Sequence, residues 1–153
     1  MAVITAWRVV HRRYARTAFD GEGARRVGGR FNSKGTPMVY AADSLALAML
    51  EVMVHVPDYR ALHDRVALPA RFDEALLGVC DEADLPAAWD ATPPSRETQA
   101  IGDAWVASGR TPVLRVPSVV VAHACNYLFN PDHPDFARIG LGAAEAPFPS
   151  IRD

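Results

Sequence analysis

The fold is decided by one run of sequence, residues 38–55, which reads MVYAADSLALAMLEVMVH. Its first five residues, Met38–Ala42, are almost entirely apolar and predict a short buried strand. Asp43 or Ser44 then offers a side-chain oxygen to the free amides of a helix start, and the apolar run that follows predicts a helix over Leu45–His55. A buried strand that leads directly into an apolar helix is typical of a fold in which helices pack on a sheet.

Glu51 is the most informative residue of this run. The helix around it is apolar on nearly every side, which predicts that the helix is buried in the core. A carboxylate in such a place destabilises the fold unless it is paired or faces a cleft, and His55 follows one turn later on the same face. Two interpretations stay open: Glu51 is solvated at an edge of the helix, or it belongs to a functional site.

The charged residues are distributed unevenly along the chain. The 153 residues have a formal net charge of −2, yet residues 1–35 hold eight basic residues against two acidic ones. Every basic residue of the chain except Lys34 is an arginine. This balance excludes a uniformly basic protein that coats nucleic acid, but it allows a local anion-binding site near the N-terminus.

A glycine-containing turn and a strand tyrosine are further candidates. In the stretch Gly28–Ser33, which reads GGRFNS, two glycines allow a close backbone approach to a ligand, and Arg30 offers a planar fork of donors that suits a phosphate or a carboxylate. The alternative is a surface turn with a solvated arginine. Tyr40 either packs in the core with its hydroxyl satisfied or stacks on a ligand.

The rest of the chain predicts short strands and one more helix. Further strands are expected at Ile4–Val10, Arg65–Pro69, Ala75–Cys80, Pro112–Val116 and Ser118–Ala122. The pattern predicts an amphipathic helix over Arg96–Ser108, ended by Gly109, and ordered loops over Asp84–Pro94 and Asn126–Pro134. Short strands that alternate irregularly with two helices predict an α+β fold, and the chain length predicts a single domain.

Composition also limits the cellular environments in which the protein is expected. Half of the residues are apolar, so the chain can bury an ordinary core. The most apolar stretch, residues 45–56, is shorter than the about 20 residues that a membrane-spanning helix needs, so no membrane partner is expected. Two cysteines, Cys80 and Cys125, form neither a disulfide framework nor a zinc spacing, which favours a reducing cytoplasm.

Seven pieces of the sequence, taken in order, resemble the RES-domain family, the toxin half of RES–Xre toxin–antitoxin modules. The pieces span almost the whole chain, and their common order makes the resemblance specific although each piece alone is weak. They are Trp7-Arg8, Gly28–Asn32, Val39–Ala42, Ala46–His55, Gly102–Trp105, Val116–Ser118 and Asn126–Pro134.

The resemblance implies a single-domain, ADP-ribosyltransferase-like fold over residues 1–153, in which short strands form a mixed sheet flanked by a few helices. It implies an enzyme that cleaves NAD⁺, as its substrate and without a metal, at the nicotinamide–ribose bond. The ADP-ribose would pass to water, to phosphate or to a protein such as a nucleotide-metabolism enzyme. The expected partner is a helix-turn-helix antitoxin of the Xre type.

By the same resemblance, the family's arginine, glutamate and serine are Arg30, Glu51 and Ser118, which are expected to be catalytic. An alternative position for the serine is Ala124, where many relatives carry serine; in that case this chain lacks the residue. A carboxylate such as Glu51 suits the reaction because the ribose becomes positively charged as the bond to nicotinamide breaks.

The residues expected to bind NAD⁺ overlap with the catalytic set. Arg8 and Arg30 would hold the pyrophosphate, and Tyr40 would stack on the nicotinamide ring. Ser118 would orient the ribose or the nicotinamide amide, and Asn126 completes the expected binding set.

A different class of function remains as the alternative: a non-enzymatic, arginine-rich module that binds RNA or an acidic protein partner. Such a module predicts binding that weakens steeply with salt. The sequence disfavours it because aromatic residues are not interleaved with the basic stretch, as they are in platforms that stack bases. No direct binding of nucleic acid is therefore expected.

Overall fold

The chain combines one mixed β-sheet with α-helices, so the predicted α+β class is confirmed. The computed structural model describes residues 2–148, and the two ends of the predicted domain over residues 1–153 therefore lie outside the described residues. The strands of the described part are β1 (Val3–His11), β2 (Val39–Ala42), β3 (Arg65–Asp73), β4 (Leu77–Val79), β5 (Val113–Pro117), β6 (Cys125–Phe129) and β7 (Gly140–Leu141). Its α-helices are α1 (Glu22–Val27), α2 (Leu45–Met53) and α3 (Arg96–Ser108).

The sheet separates two sets of apolar side chains. Its strands follow the order β4-β5-β6-β2-β1-β3-β7, with β4 and β5 parallel and the other neighbours antiparallel. One face covers the main core, where Phe72 meets Tyr127 and Phe129 edge to face with ring centroids 5.6 and 5.8 Å apart. Side chains alternate along β1, so Trp7 and Val9 point to the other face and pack against α2.

The N-terminal cap of α2 is Ser44 and not Asp43. The hydroxyl of Ser44 accepts a hydrogen bond from the amide of Leu47 at 3.0 Å. The Asp43 carboxylate instead accepts the amide of Cys125 at 3.0 Å, which joins the start of the helix to β6. The two candidate caps thus act on different elements, one on the helix and one on the sheet.

The predicted full burial of this helix is wrong. Leu47 and Ala48 pack on β1 and β2, whereas Leu50, Met53 and Val54 are exposed. The reason is that the sheet covers one face of the helix and leaves these three side chains uncovered. The helix also ends two residues before the predicted end at His55.

Several other predicted elements are confirmed. The strand at Ile4–Val10 lies within β1, and the predicted helix over Arg96–Ser108 is α3 with the same ends. Gly109 ends α3 in the left-handed conformation, with φ of 61°, and its amide donates to the carbonyl of Val106.

Two predictions in the last third of the chain are wrong. Residues 118–122, expected to be a strand, form bends and a turn, because the Ser118 hydroxyl accepts the amides of Val120 and Val121. Residues 126–134, expected to be a loop, begin inside β6. β6 pairs with β2 on one side and β5 on the other, and this pairing overrides the loop-like composition.

Among residues 2–148, no helix has both the length and the apolar character needed to cross a membrane.

Candidate active site

A cleft of about 600 Å³ opens beside α2 on the face of the sheet opposite the main core. Its walls include residues from five adjacent strands, in the order β5, β6, β2, β1 and β3. Neighbouring strands lie about 4.8 Å apart, so the cleft crosses about 19 Å of sheet. The shape suits an elongated ligand better than a compact one.

Glu51 lies half-buried in the wall that α2 contributes. The side-chain amide of Asn126, on β6, donates one hydrogen bond to Glu51 Oε1 at 2.8 Å and one to the carbonyl of Ala41 at 3.1 Å. Within residues 2–148, Oε2 accepts no hydrogen bond. The structure therefore favours the site interpretation of Glu51 over a carboxylate solvated at a helix edge.

The electrostatic surroundings of Glu51 oppose its ionisation. Burial raises the pKa of this carboxyl above its ordinary value, and the hydrogen bond from Asn126 partly offsets that effect. The charge of Asp43 raises the pKa further, while His55 lowers it. An ionised Glu51 in this cleft is consequently a poorly solvated anion that gains from a nearby positive charge.

Tyr40 has its ring in the cleft wall and its hydroxyl in the turn that follows α1. The hydroxyl donates to Asn32 Oδ1 at 2.5 Å and accepts the amide of Phe31 at 3.0 Å. Asn32 is fully buried and donates to three backbone carbonyls. Burial raises the pKa of Tyr40, so the phenol stays neutral and serves as a structural hydrogen-bond donor.

Helix α3 presses on the same turn. A Cβ atom added to Gly102 would lie 1.6 Å from the carbonyl oxygen of Phe31, so only glycine permits this contact. The Asp103 carboxylate accepts the amide of Ser33 at 3.0 Å and its hydroxyl at 2.6 Å. Gln99 donates to the carbonyl of Gly29 at 3.0 Å. The Gly102–Trp105 piece of the sequence thus sets the position of the turn.

Arg30 lies in the cleft wall, within this turn. Its Nη1 donates to the carbonyls of Trp89 and Ala91, at 2.9 and 2.7 Å. These two bonds fix the plane of the guanidinium, while Nε and Nη2 make no hydrogen bond to residues 2–148. Two nitrogens of Arg30, Nε and Nη2, are therefore free for a ligand.

Arg8 fills a gap in the sheet. β1 and β2 pair at one residue couple, Trp7 and Ala42, and separate beyond it. The guanidinium of Arg8 donates through Nη1 to the carbonyl of Tyr40 at 2.9 Å and through Nε to the carbonyl of Ala18 at 2.6 Å. Arg8 lines the cleft, and its bond to Tyr40 also joins the two strands where they separate.

Ser118 does not line the cleft, and neither does Ala124. The Ser118 hydroxyl is occupied by the amides of Val120 and Val121, at 3.0 and 3.2 Å. The turn shaped in this way carries Val119 and Val120, which do line the cleft. The structure therefore gathers the predicted residues Arg8, Arg30, Tyr40, Glu51 and Asn126 and leaves Ser118 behind the wall.

Sequence reasoning missed one cleft arginine and the residues that hold the turn. Arg65, the first residue of β3, lies in the cleft wall. Arg65 and Ala67 are alternate residues of β3 and so share a face, and Ala67 lies opposite Val9 of β1. Once β1 and β3 are paired, this pattern predicts that Arg65 lies on the same face of the sheet as Val9. Gln99 and Asp103 contact the turn from α3, and nothing in the local sequence indicates those long-range contacts.

The other N-terminal arginines lie outside the cleft. Arg12 forms an exposed ion pair with Asp64 at 3.5 Å, and Arg25 pairs with Glu22 one turn earlier in α1. The guanidinium of Arg13 lies over the ring of the neighbouring Tyr14. The basic stretch is thus divided between the cleft, which holds Arg8 and Arg30, and a solvated surface. Across residues 2–148, no group of three histidine, cysteine or acidic side chains is arranged to hold a metal.

The sequence matches a known family over nearly its full length. The model of the RES domain matches residues 5–150. The chain is 38% identical over 130 residues to "Toxin Res" of Photorhabdus laumondii, which covers 85% of this chain and 83% of that protein. It is 39% identical over 134 residues to the "Prs ADP-ribosylating toxin" of Sphingobium sp., which covers 84% and 83%.

The fold is also similar to that of a solved protein. The comparison with the crystal structure of the M. tuberculosis MbcT–MbcA toxin–antitoxin complex gives a TM-score of 0.75 at 23% identity and covers 95% of this chain and 86% of the matched chain. This likeness confirms the ADP-ribosyltransferase-like fold class. Together with the sequence matches, it shows that the chain belongs to the RES domain family of toxins.

Proposed function

We propose that this protein is the toxin of a toxin–antitoxin pair and that it cleaves NAD⁺ at the nicotinamide–ribose bond. The observation that carries the proposal is Glu51, held by Asn126 in a cleft long enough for a dinucleotide and lined by arginines. The name of the Sphingobium relative, an ADP-ribosylating toxin, supports the same chemistry.

The reaction needs a single anion close to the ribose. When the bond between C1′ and the nicotinamide nitrogen breaks, the electron pair goes to the ring nitrogen and nicotinamide leaves as a neutral molecule. The positive charge moves to the ribose, where a carboxylate stabilises it. Glu51 supplies this charge, and its free Oε2 is available to a ribose hydroxyl. Water, phosphate or a protein side chain then adds to C1′ through its own lone pair and loses a proton.

Two arginines and one tyrosine are assigned to the rest of the dinucleotide. Arg30 uses its free Nε and Nη2 for the pyrophosphate, to which Arg8 adds positive charge. Tyr40 offers its ring for stacking on the nicotinamide, since its hydroxyl is already bound to Asn32 and Phe31.

Asn126 and Ser118 act as positioning residues in this proposal. Both donor bonds of the Asn126 amide are used, one on Glu51 and one on Ala41, so Asn126 orients the carboxylate. Ser118 acts through the turn that places Val120 in the cleft wall.

The proposal also includes the cellular compartment and the partners of the protein. The protein acts in the cytoplasm, where NAD⁺ is abundant and its two cysteines stay reduced. A helix-turn-helix antitoxin of the Xre type neutralises it by covering the cleft. The exposed apolar side chains Leu50 and Met53, beside Glu51 on α2, offer such a partner a contact surface. A nucleotide-metabolism enzyme is one candidate acceptor of the ADP-ribose.

A direct test follows nicotinamide release from NAD⁺ by the purified chain, with and without phosphate. Glu51→Gln keeps the shape and removes the charge, so we expect at least about a hundredfold lower kcat. Glu97→Gln, at an exposed position of α3 outside the cleft, is the matched control and should leave the rate unchanged. Equal rates for the wild type and Glu51→Gln would contradict the proposal.

A second test separates degradation from transfer. NAD⁺ labelled in its adenylate part is added to a bacterial lysate together with the wild type or Glu51→Gln. A discrete labelled protein that depends on Glu51 shows transfer to a target. Soluble ADP-ribose or its phosphorylated form as the sole labelled product shows degradation.

A further inference from the structure

Arg65 stands at the β3 end of the cleft. The pairing of β1 with β3 sets Arg65 opposite His11 and Ala67 opposite Val9. Alternate residues of a strand share a face, so Arg65 lies on the same face as Val9, the face that lines the cleft. His55 and Val56, which follow α2, also line the cleft.

The guanidinium of Arg65 differs from those of the other two cleft arginines. Arg8 and Arg30 each donate to two backbone carbonyls. Arg65 has a buried Nε without a hydrogen-bond partner, and within residues 2–148 its side chain enters no hydrogen bond and no ion pair. A buried donor left unpaired is unfavourable, and in a native structure it calls for a partner such as an ordered water, an ion or a ligand.

The charge of the cleft identifies that ligand as an anion. Three arginines line the cleft in its described part, and Glu51 is the one acidic residue among its walls. A guanidinium presents parallel donors whose spacing matches two oxygens of a phosphoryl group. Carboxylates have the same spacing, but the surplus of positive charge favours the more highly charged group.

We propose that Arg65 forms a phosphoryl subsite at the β3 end of the cleft, separate from the pyrophosphate contacts assigned to Arg30. The inference rests on the proposed function for its substrate. The phosphoryl group has two sources, a phosphate of the bound dinucleotide or free inorganic phosphate that accepts the ADP-ribose. In the first case Arg65 determines affinity for the substrate, and in the second it determines the choice of acceptor.

The first arm of the test measures binding of ADP to the full chain by calorimetry. If the subsite holds a phosphate of the dinucleotide, Arg65→Gln should weaken binding by at least about tenfold, because it removes a charge-assisted pair of hydrogen bonds. Arg71→Gln is the matched control, since Arg71 lies on the same strand, is exposed and does not line the cleft. Arg65→Lys should restore part of the affinity, since lysine keeps the charge without the fork.

The second arm titrates inorganic phosphate against the rate of NAD⁺ consumption. If the subsite holds the acceptor, Arg65→Gln loses the stimulation by phosphate and keeps the rate with water and the affinity for ADP. Arg71→Gln keeps all three. Melting temperatures of both variants close to that of the wild type show that the fold is intact.

The outcomes separate this inference from the proposed function. Loss of ADP binding or of phosphate stimulation in Arg65→Gln alone supports the subsite and names its source. ADP binding that depends on Arg65 in a chain that leaves NAD⁺ intact overturns only the proposed function. If Arg65→Gln matches Arg71→Gln in both arms, or if the wild type binds neither ADP nor phosphate, the subsite is overturned.

Discussion

The two walls of the cleft are built in opposite ways. The wall formed by the Gly28–Ser33 turn is held by hydrogen bonds with Tyr40, Gln99 and Asp103. Gly102 of α3 also touches this turn, with no space left for a Cβ atom. The wall formed by α2 rests on apolar packing along one face, with Glu51 fixed by the single amide of Asn126. The turn is therefore the rigid wall of the cleft, whereas one hydrogen bond holds the Glu51 carboxylate in the other wall.

The largest effect is expected from breaking the contact between α3 and the turn. In Gly102→Ala the new methyl group overlaps the carbonyl oxygen of Phe31, so the helix must move. We expect the free energy of unfolding to fall by about 3 kcal/mol. Gly23→Ala is the control, because a Cβ at Gly23 of α1 has no neighbour within 4 Å. Urea denaturation of both variants measures the difference, and similar stabilities would refute a rigid turn.

The next effect concerns the hydroxyl that ties β2 to the turn. Tyr40→Phe leaves the Phe31 amide and the buried side-chain oxygen Oδ1 of Asn32 without their partner, which lowers the free energy of unfolding by about 2 kcal/mol. Tyr14→Phe, at an exposed tyrosine, should change it by less than about 0.5 kcal/mol. Thermal denaturation checks both values, and a loss as small as that of the control would contradict the structural role of Tyr40.

On the α2 wall the expected effect lies in catalysis more than in stability. Asn126→Ala removes the hydrogen bond that opposes the burial of Glu51, so the pKa of Glu51 should rise further. If ionised Glu51 is required, the acidic limb of the pH profile of kcat/KM moves to higher pH, and kcat falls at neutral pH. An unshifted limb would argue against Asn126 as a positioning residue. The expected loss in the free energy of unfolding is about 1 kcal/mol.

The smallest effect is a change of stability with pH in Glu51→Gln. Burial raises the pKa of Glu51 in the folded state, so the wild type is penalised as pH rises through that raised value. Glu51→Gln should therefore melt at a higher temperature than the wild type at neutral pH. The two should converge once the pH falls below 4.5, the ordinary value for the carboxyl. A melting difference that does not depend on pH would mean that Glu51 is not desolvated.

The comparison also shows where local sequence patterns suffice. The α2 wall follows from the strand, cap and helix of residues 38–55, whose pattern predicts the elements and singles out Glu51 as a misplaced charge. The turn wall does not follow from its own residues, since Gly28–Ser33 reads equally well as an ordinary surface turn. Contacts from α3, about 70 residues away in the chain, make it a defined surface.

The same reason explains the wrong predictions. The Asn126–Pro134 stretch has the composition of a loop, yet β6 gains partners on both sides and becomes a central strand. Ser118–Ala122 has the composition of a strand, but the Ser118 hydroxyl binds the local amides and bends the chain. In both stretches, the competition between local and long-range hydrogen bonds decides the outcome.

By itself, the sequence determined the α+β class, the family and five polar residues that line the cleft, because these depend on patterns within single elements and on the order of short motifs. The tertiary structure alone decided which of the predicted site residues face the cleft and what each of them bonds to. It placed Ser118 behind the wall, used Arg8 to bridge split strands, and left Arg65 unpaired in the cleft. The physical reason is that a polar side chain bonds to the donors and acceptors around it that lack a partner. Only the assembled fold determines which groups those are.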